Sequence, residues 1–219
     1  MATRLVLAEL SAAYERRSSD SVRIESVGGV DAAKRVHSGE SFDVVFLASD
    51  AIDKLVAGGS VLADSKVDLV RSPVAVAVGA GMPRPDISSE EALRGAVLAA
   101  RSIGYSTGPS GVALIRLFEQ WGITAQLRGR VMQAPAGVPV GAMVAKGEVA
   151  LGFQQLSELM PIEGVDVLGT LPDPVQIVTV FSGAVCAASH QPESVRAMLD
   201  FMASPEMADV KRRHGMEPA

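Results

Sequence analysis

The chain has 219 residues, 48% of them hydrophobic and 21% charged: enough apolar material for one large or two modest α/β lobes, and too much for a disordered segment. With 25 acidic against 20 basic residues the net charge is −5, which argues against a nucleic-acid surface, because phosphate neutralisation needs a clustered excess of Lys and Arg. One cysteine excludes an intrachain disulfide, three scattered histidines give no metal-ligand spacing, and no stretch approaches the roughly 18 unbroken apolar residues of a bilayer span, so neither a metal nor membrane insertion is expected.

Val6, Leu10, Ala13 and Tyr14 recur at helical spacing opposite Glu9, Arg16 and Arg17, so the chain opens with an amphipathic helix. Val22-Arg23-Ile24-Glu25 alternates as a strand, Gly28-Gly29 breaks it, and Asp31 is placed to cap a short helix ending at Gly39. Asp43 to Leu47 has the pattern of a buried strand, and a helix from about Asp50 to Ala57 is closed by Gly58-Gly59. A long extended run, Val67 to Gly79, is interrupted by Pro73 and leads into the loop Gly81 to Asp86.

Ser88 with Glu91 forms a capping-box pattern for a helix ending near Ala100. Strand Ile103-Gly104-Tyr105 then runs into Ser106-Thr107-Gly108-Pro109-Ser110-Gly111 and a helix to Trp121. Strand Val131 to Gln133, helix Pro139 to Lys146 and strand Ala150 to Phe153 continue the alternation. After Val165 to Leu168 comes a second long extended run, Val175 to Ala188, and then two helices with Pro192 and Pro205 in their first turns. Lys211-Arg212-Arg213 closes the last one, where it complements the helix dipole. Two extended crossings around a central α/β segment predict a two-lobed α/β fold. Residues 1–79 and 175–219 form lobe 1, 80–174 form lobe 2, hinges fall near 77–82 and 171–177, and a ligand cleft lies between the lobes.

Three loops carry glycine or small hydroxyl residues between a strand and a helix: Gly28-Gly29-Val30, Ser106 to Gly111, and Ala136-Gly137-Val138. First-turn amides lack intrahelical acceptors and the helix dipole favours negative charge, so such loops suit anions, although ordinary capping uses the same residues. Arg4 and Arg71 are the cationic candidates. Gln154 and Gln155 end a strand, where paired amides suit carboxylates, and Glu158 offers a proton acceptor; a solvated helix face accounts for Arg4 and Glu158 equally well. Ser110 does not sit in a nucleophile elbow, since Val112 replaces the closing glycine, and Walker and dinucleotide glycine patterns are absent, so no cofactor is expected. The histidines and Cys186, in its apolar run, read as surface and core residues respectively.

The order of elements, with Gly28 to Ala33, Phe42 to Asp50 and the ending Arg213-His214-Gly215-Met216, resembles the type II periplasmic binding proteins that carry molybdate. The resemblance implies a Venus-flytrap fold, a component of an ABC importer with a permease partner, a periplasmic location, and an anion held by serine hydroxyls and helix amides. By position, Ser106, Ser110, Gly28, Gly29 and Val138 inherit that role. Molybdate binders present a tyrosine where this chain has Gln154-Gln155. The segments Leu151 to Leu159, Pro85 to Ser89 and Ser102 to Ser106 are similar to a branch containing bacterial aconitate isomerase, which implies a cofactor-independent cis–trans isomerase of a tricarboxylate as the alternative.

Family members begin with a strand feeding a serine loop, whereas Met1-Ala2-Thr3-Arg4 starts where that loop should end. A missing first strand, through a late start or a trimmed chain, is therefore expected, with no leader before it and Thr3 as the nearest remaining hydroxyl. The ligand-binding set expected is Thr3, Gly28, Gly29, Val30, Arg71, Ser106, Thr107, Ser110, Gly111, Val138, Gln154 and Gln155.

Overall fold

Alternating apolar periodicities and glycine stops resolve into an α/β chain in a computed structural model that describes residues 2–135 and 137–219. In order it forms α1 (Arg4–Glu15), α2 (Gly29–His37), β1 (Val44–Ala48), α3 (Ser49–Ala57), β2 (Val67–Gly79), α4 (Glu90–Ala99), β3 (Ile103–Tyr105), α5 (Pro109–Gln120) and β4 (Val131–Gln133). There follow α6 (Val140–Ala145), β5 (Leu151–Gln155), α7 (Leu156–Leu159), β6 (Val165–Thr170), β7 (Val178–Val185), α8 (Pro192–Ala203), α9 (Ala208–Arg213) and β8 (Glu217–Pro218). The chain divides into two units, one of residues up to Ser72 together with Thr179–Ala219, the other Pro73–Val178. The crossings fall within β2 and at the head of β7, and the loop Gly81 to Asp86 belongs to the second unit.

In the first unit β1 runs antiparallel to β7, from Val44 opposite Val185 to Ala48 opposite Phe181, and β8 pairs with Val70 and Arg71 of β2. Strand periodicity sends Val44 and Phe46 to one face, against α1 and α8, and Val45 and Leu47 to the other, against α2 and α3. The α1 stripe Val6, Leu7, Leu10 and Tyr14 meets Val195, Leu199 and Met202 of α8, and full burial of each such side chain contributes about 1.5–3 kcal/mol. Lys211 is the surprise of the terminal basic run: it is 1% exposed, and burial pushes its ammonium pKa down.

In the second unit β5 is parallel to β3, β3 is parallel to β4, and β2 lies antiparallel to both β5 and β6. Every residue of β5 is buried, as befits a strand covered on both faces. Phe153 points toward α5, its ring 6.2 Å from that of Phe118, within a core shared with Leu93, Val97, Leu114 and Ile123. The opposite face carries Gly104 and Gly152, which are partners in register. A Cβ on Gly152 would lie 2.4 Å from Cγ2 of Val144, and one on Gly104 3.0 Å from Cγ1 of Val140. The bare backbone at this pair is what lets α6 rest directly on the sheet.

Several local expectations change. Val22 to Glu25 forms no strand: its alternation places Val22 and Ile24 half-buried on the α1/α8 core, but the Val22 amide donates to Glu15 Oε1 at 2.7 Å instead of to a strand. Apolar alternation supplies a packing face, whereas a strand also needs a neighbour's backbone. Gly28, not Asp31, stands at the N-cap of α2, with Asp31 inside the first turn. Ser89 rather than Ser88 caps α4, accepting from Ala92 N at 3.1 Å, while the Ser88 amide donates to Asp86. Residues 173–175 form a 3₁₀ turn, so the second long strand begins at Val178, and Pro205 opens a 3₁₀ turn instead of an α-helix.

Candidate functional site

Because β3, β4 and β5 are parallel, their C-terminal ends share one edge of the second unit's sheet, the place where α/β proteins gather ligand-binding loops. Tyr105 stands opposite Gln133 on one side and Phe153 on the other, so Ser106, Ala134 and Gln154 occupy the next level on adjacent strands, about 4.8 Å apart. From that edge the chain turns into α5, α6 and α7 in the three cases.

The Ser106–Gly111 loop is folded tightly. The hydroxyls of Ser106 and Ser110 are 3.1 Å apart, Ser106 half-buried, Ser110 buried and Thr107 exposed. Pro109 at the first helical position removes one orphan amide from the outset. The Gly111 amide donates to the Gly108 carbonyl at 3.0 Å, so it serves the loop itself. A Cβ on Gly111 would lie 1.9 Å from the Ser106 carbonyl oxygen, so only glycine permits this return of the backbone. Gly111 therefore shapes the loop that presents the two serines.

At the second loop, Ala136 lies outside the described residues. The Val138 amide donates to the Pro135 carbonyl at 3.0 Å, closing a turn with Gly137 at φ 78°, so the donor expected there is already engaged. The first turn of α6 is tied to β5 instead: Gly141 N donates to Oε1 of Gln154 at 3.1 Å. Gln154 is itself buried, and the chain continues from β5 straight into α7, which carries Glu158. Burial pushes the pKa of the half-buried Glu158 up. Gln155 is buried beside it at the strand end. The second unit thus gathers two linked serines, two buried glutamines and a carboxyl that keeps its proton to higher pH than an ordinary glutamate.

In the first unit, Thr3 precedes α1, Gly28, Gly29 and Val30 open α2, and Ser49 opens α3 directly after β1. Gly29 sits over Leu47, 3.6 Å from a Cβ position to Cδ2, and Val30 is 84% exposed. Thr3 and Ser182 line one small cleft with Phe46 and Phe181. Ser182 Oγ donates to Asp68 Oδ1 at 2.6 Å and Ser49 Oγ reaches the same oxygen at 3.5 Å. Asp68 was absent from the residues singled out by sequence; only its place on a long strand after a cap-like serine hints at it. Arg71 is three residues further along β2, hence on the other face of the strand, exposed and opposite Glu217. It is not grouped with Thr3, Ser49 and Asp68. Arg4 is exposed on α1.

The remaining chemistry-bearing residues serve structure. His37 Nδ1 pairs with Ser60 Oγ at 3.2 Å, and His214 Nε2 with Glu9 Oε2 at 2.8 Å. Cys186 is buried and its thiol is pushed up to about 11, chiefly by desolvation, which makes it a poor nucleophile. Among the described residues no three His, Cys, Asp or Glu gather as for a metal ion, and no helix is long and apolar enough to cross a membrane.

Comparison with known proteins places this geometry in context. The family described as "Bacterial extracellular solute-binding protein" matches residues 1–217. An aconitate isomerase from Pseudomonas sp is 41% identical over 216 residues, covering 96% of this chain and 82% of that protein. Among solved structures, the Azotobacter vinelandii periplasmic molybdate-binding protein aligns with TM-score 0.76 at 19% identity, over 96% of this chain and 93% of its own. A Clostridium difficile protein described as the substrate-binding domain of a molybdenum ABC transporter aligns with TM-score 0.78 at 14% identity, over 100% and 95%. At such identities these two speak for the fold, a type II periplasmic-binding-protein architecture.

Proposed function

Because the chain belongs to the bacterial extracellular solute-binding protein family, we propose that it binds a small polycarboxylate anion and interconverts the cis and trans isomers of aconitate. The observation that supports this best is the 41% identity to an aconitate isomerase, against 19% and 14% for the molybdate-type structures. The chemistry of the second unit's sheet edge agrees with it. Carboxylates are acceptors only, and Ser106, Thr107, Ser110 and the amides of Gln154 and Gln155 belong to residue types that donate. The resemblance to molybdate binders implies a tyrosine at the place where this chain has Gln154-Gln155.

The reaction is a proton shift. In aconitate, a propene with three carboxylates, the methylene hydrogens are activated by a neighbouring carboxylate and the double bond. A base removes one of them and the electron pair spreads over three carbons. Return of a proton to the former vinyl carbon regenerates aconitate with the double bond moved along the skeleton and its geometry set anew. One C–H bond breaks, one forms, and no electrons are lost. Such transfers need a positioned acid–base group with a pKa near the working pH.

A second reading is favoured by the fold similarity to molybdate-binding proteins: an oxyanion receptor of an ABC importer, with a permease partner and a periplasmic location, needing no base. Thermal shift with a ligand panel separates the two. The isomerase reading expects stabilisation by cis- and trans-aconitate and little by molybdate, tungstate or sulfate. Stabilisation by molybdate alone contradicts it and supports the receptor.

A further inference from the structure

We propose that Asp68 of the first unit is the group that carries the proton in this isomerisation, and that Ser182 is its positioning residue; the inference rests on the isomerase reading above and adds the residue that does the chemistry. Three adjacent strands bring the participants together. β1, β7 and β2 lie side by side in that order, Leu47 of β1 stands opposite Ser182 of β7, and Ser182 Oγ donates to Oδ1 of Asp68 on β2 at 2.6 Å. Ser49, half-buried at the start of α3, brings its hydroxyl to 3.5 Å from the same oxygen. Ser182 is fully buried, so Oδ1 is tied to a donor locked in the sheet. Among the described residues Oδ2 accepts no hydrogen bond, and the Asp68 side chain is exposed. One carboxylate oxygen is thus held in place and the other is open to a substrate, the arrangement that proton transfer to or from carbon requires.

What surrounds Asp68 suits an anion, and that gives a carboxylate in this place its meaning. Ala48 stands at the N-cap of α3 and has no side-chain oxygen, so the first-turn amides of this nine-residue helix lack a side-chain cap, and Ser49 adds a hydroxyl donor. In a passive anion receptor a negative charge beside such donors only weakens binding, by like-charge repulsion. In an isomerase it supplies the acid–base group. The carboxylate takes a methylene proton on Oδ2, an O–H bond forming as the C–H bond breaks, and the resulting acid returns a proton to the other terminal carbon and is a carboxylate again. Other carboxyls of the first unit are employed elsewhere: Asp43 accepts from Ser189 and Gln191, Asp53 pairs with Lys66, and Asp64 pairs with Arg196. Asp50, in the first turn of α3, reaches along the helix to Lys54 at 4.0 Å.

The test compares the intact chain with Asp68→Asn, Asp68→Glu and Ser182→Ala. Turnover of trans-aconitate, trans-aconitate binding by calorimetry, and wash-in of solvent deuterium at the terminal carbons are measured for each. Asp68→Asn keeps an oxygen that can accept from Ser182, and its kcat falls about 100- to 10,000-fold with deuterium wash-in lost. Its Kd stays equal or tightens, because a negative charge beside an anion has been removed. Asp68→Glu recovers part of the rate, and Ser182→Ala lowers kcat more than it raises KM. If the parent protein turns over aconitate and Asp68→Asn keeps a rate within about tenfold of it, Asp68 is not the carrier although the isomerase reading stands. If Asp68→Asn loses binding in step with turnover, the residue shapes the site and carries no proton, and the assignment is likewise overturned. If the parent protein neither converts aconitate nor exchanges its hydrogens, the isomerase reading fails and this assignment with it. Should Asp68→Asn not fold, the glutamate variant decides: a rate and wash-in equal to the parent's overturn the assignment, and both reduced in proportion with Kd unchanged support it.

Discussion

Gly111 is the residue whose replacement should report most sharply on the serine loop. A methyl group at this position would need about the space held by the Ser106 carbonyl, 1.9 Å from the ideal Cβ, and the obstacle is backbone. Gly111→Ala is therefore expected to destabilise the protein by about 1–3 kcal/mol and to weaken aconitate binding, both read from melting curves with and without ligand. Sequence named Gly111 as a donor to the anion. The structure keeps it essential for a different reason, one invisible to spacing rules because a close approach is defined only once the loop has folded. A second residue-scale prediction concerns Glu9, whose carboxyl is held below the ordinary glutamate range by the Arg213 guanidinium and then by His214. Its contribution is fully present above the unfolded-state value and disappears as pH falls through the lowered folded value. Glu9 is 39% exposed, so solvent screening keeps the contribution at about 1 kcal/mol or less. The melting-temperature gap between parent and Glu9→Gln should thus be open at neutral pH and close in acid; a gap that widens in acid contradicts the assignment.

Among elements, α6 shows how a short helix is fixed by what its sheet lacks. Gly104 and Gly152 stand side by side in β3 and β5, and Val140 and Val144 settle into the space where their side chains would be. Gly152→Ala should cost about 1–3 kcal/mol, and adding Val144→Ala should recover part of it, a coupling that a double-mutant cycle in urea measures. Because α6 carries Gly141 against Gln154, the same single substitution should also lower aconitate turnover. The helices and strands around this point were legible from periodicity and glycine stops. The Gly104–Gly152 pairing was not, since a glycine in a short strand says nothing of its neighbour until the register is known. Val22 to Glu25 shows the converse: the alternation is real and buries Val22 and Ile24 partly, yet strand character depends on a pairing partner that a local pattern does not contain. The α4 cap moved by one residue for a related reason, because Ser88 is drawn into the Asp86 turn and Ser89 takes the helix.

For the molecule as a whole, fold class and family were readable from the order of elements. What sequence could not supply was the wiring behind Gln154, which faces α6 and accepts the Gly141 amide while its neighbour Phe153 faces α5. Asp68, bonded to Ser182 from a segment far along the chain, was hidden for the same reason. The claim on which the functional account turns is tested by incubating the protein with pure trans-aconitate, and separately with pure cis-aconitate, and separating the isomers chromatographically over time. The account predicts that each isomer gives rise to the other and that both mixtures approach one common ratio. Unchanged isomers at protein concentrations that bind them fully would contradict it.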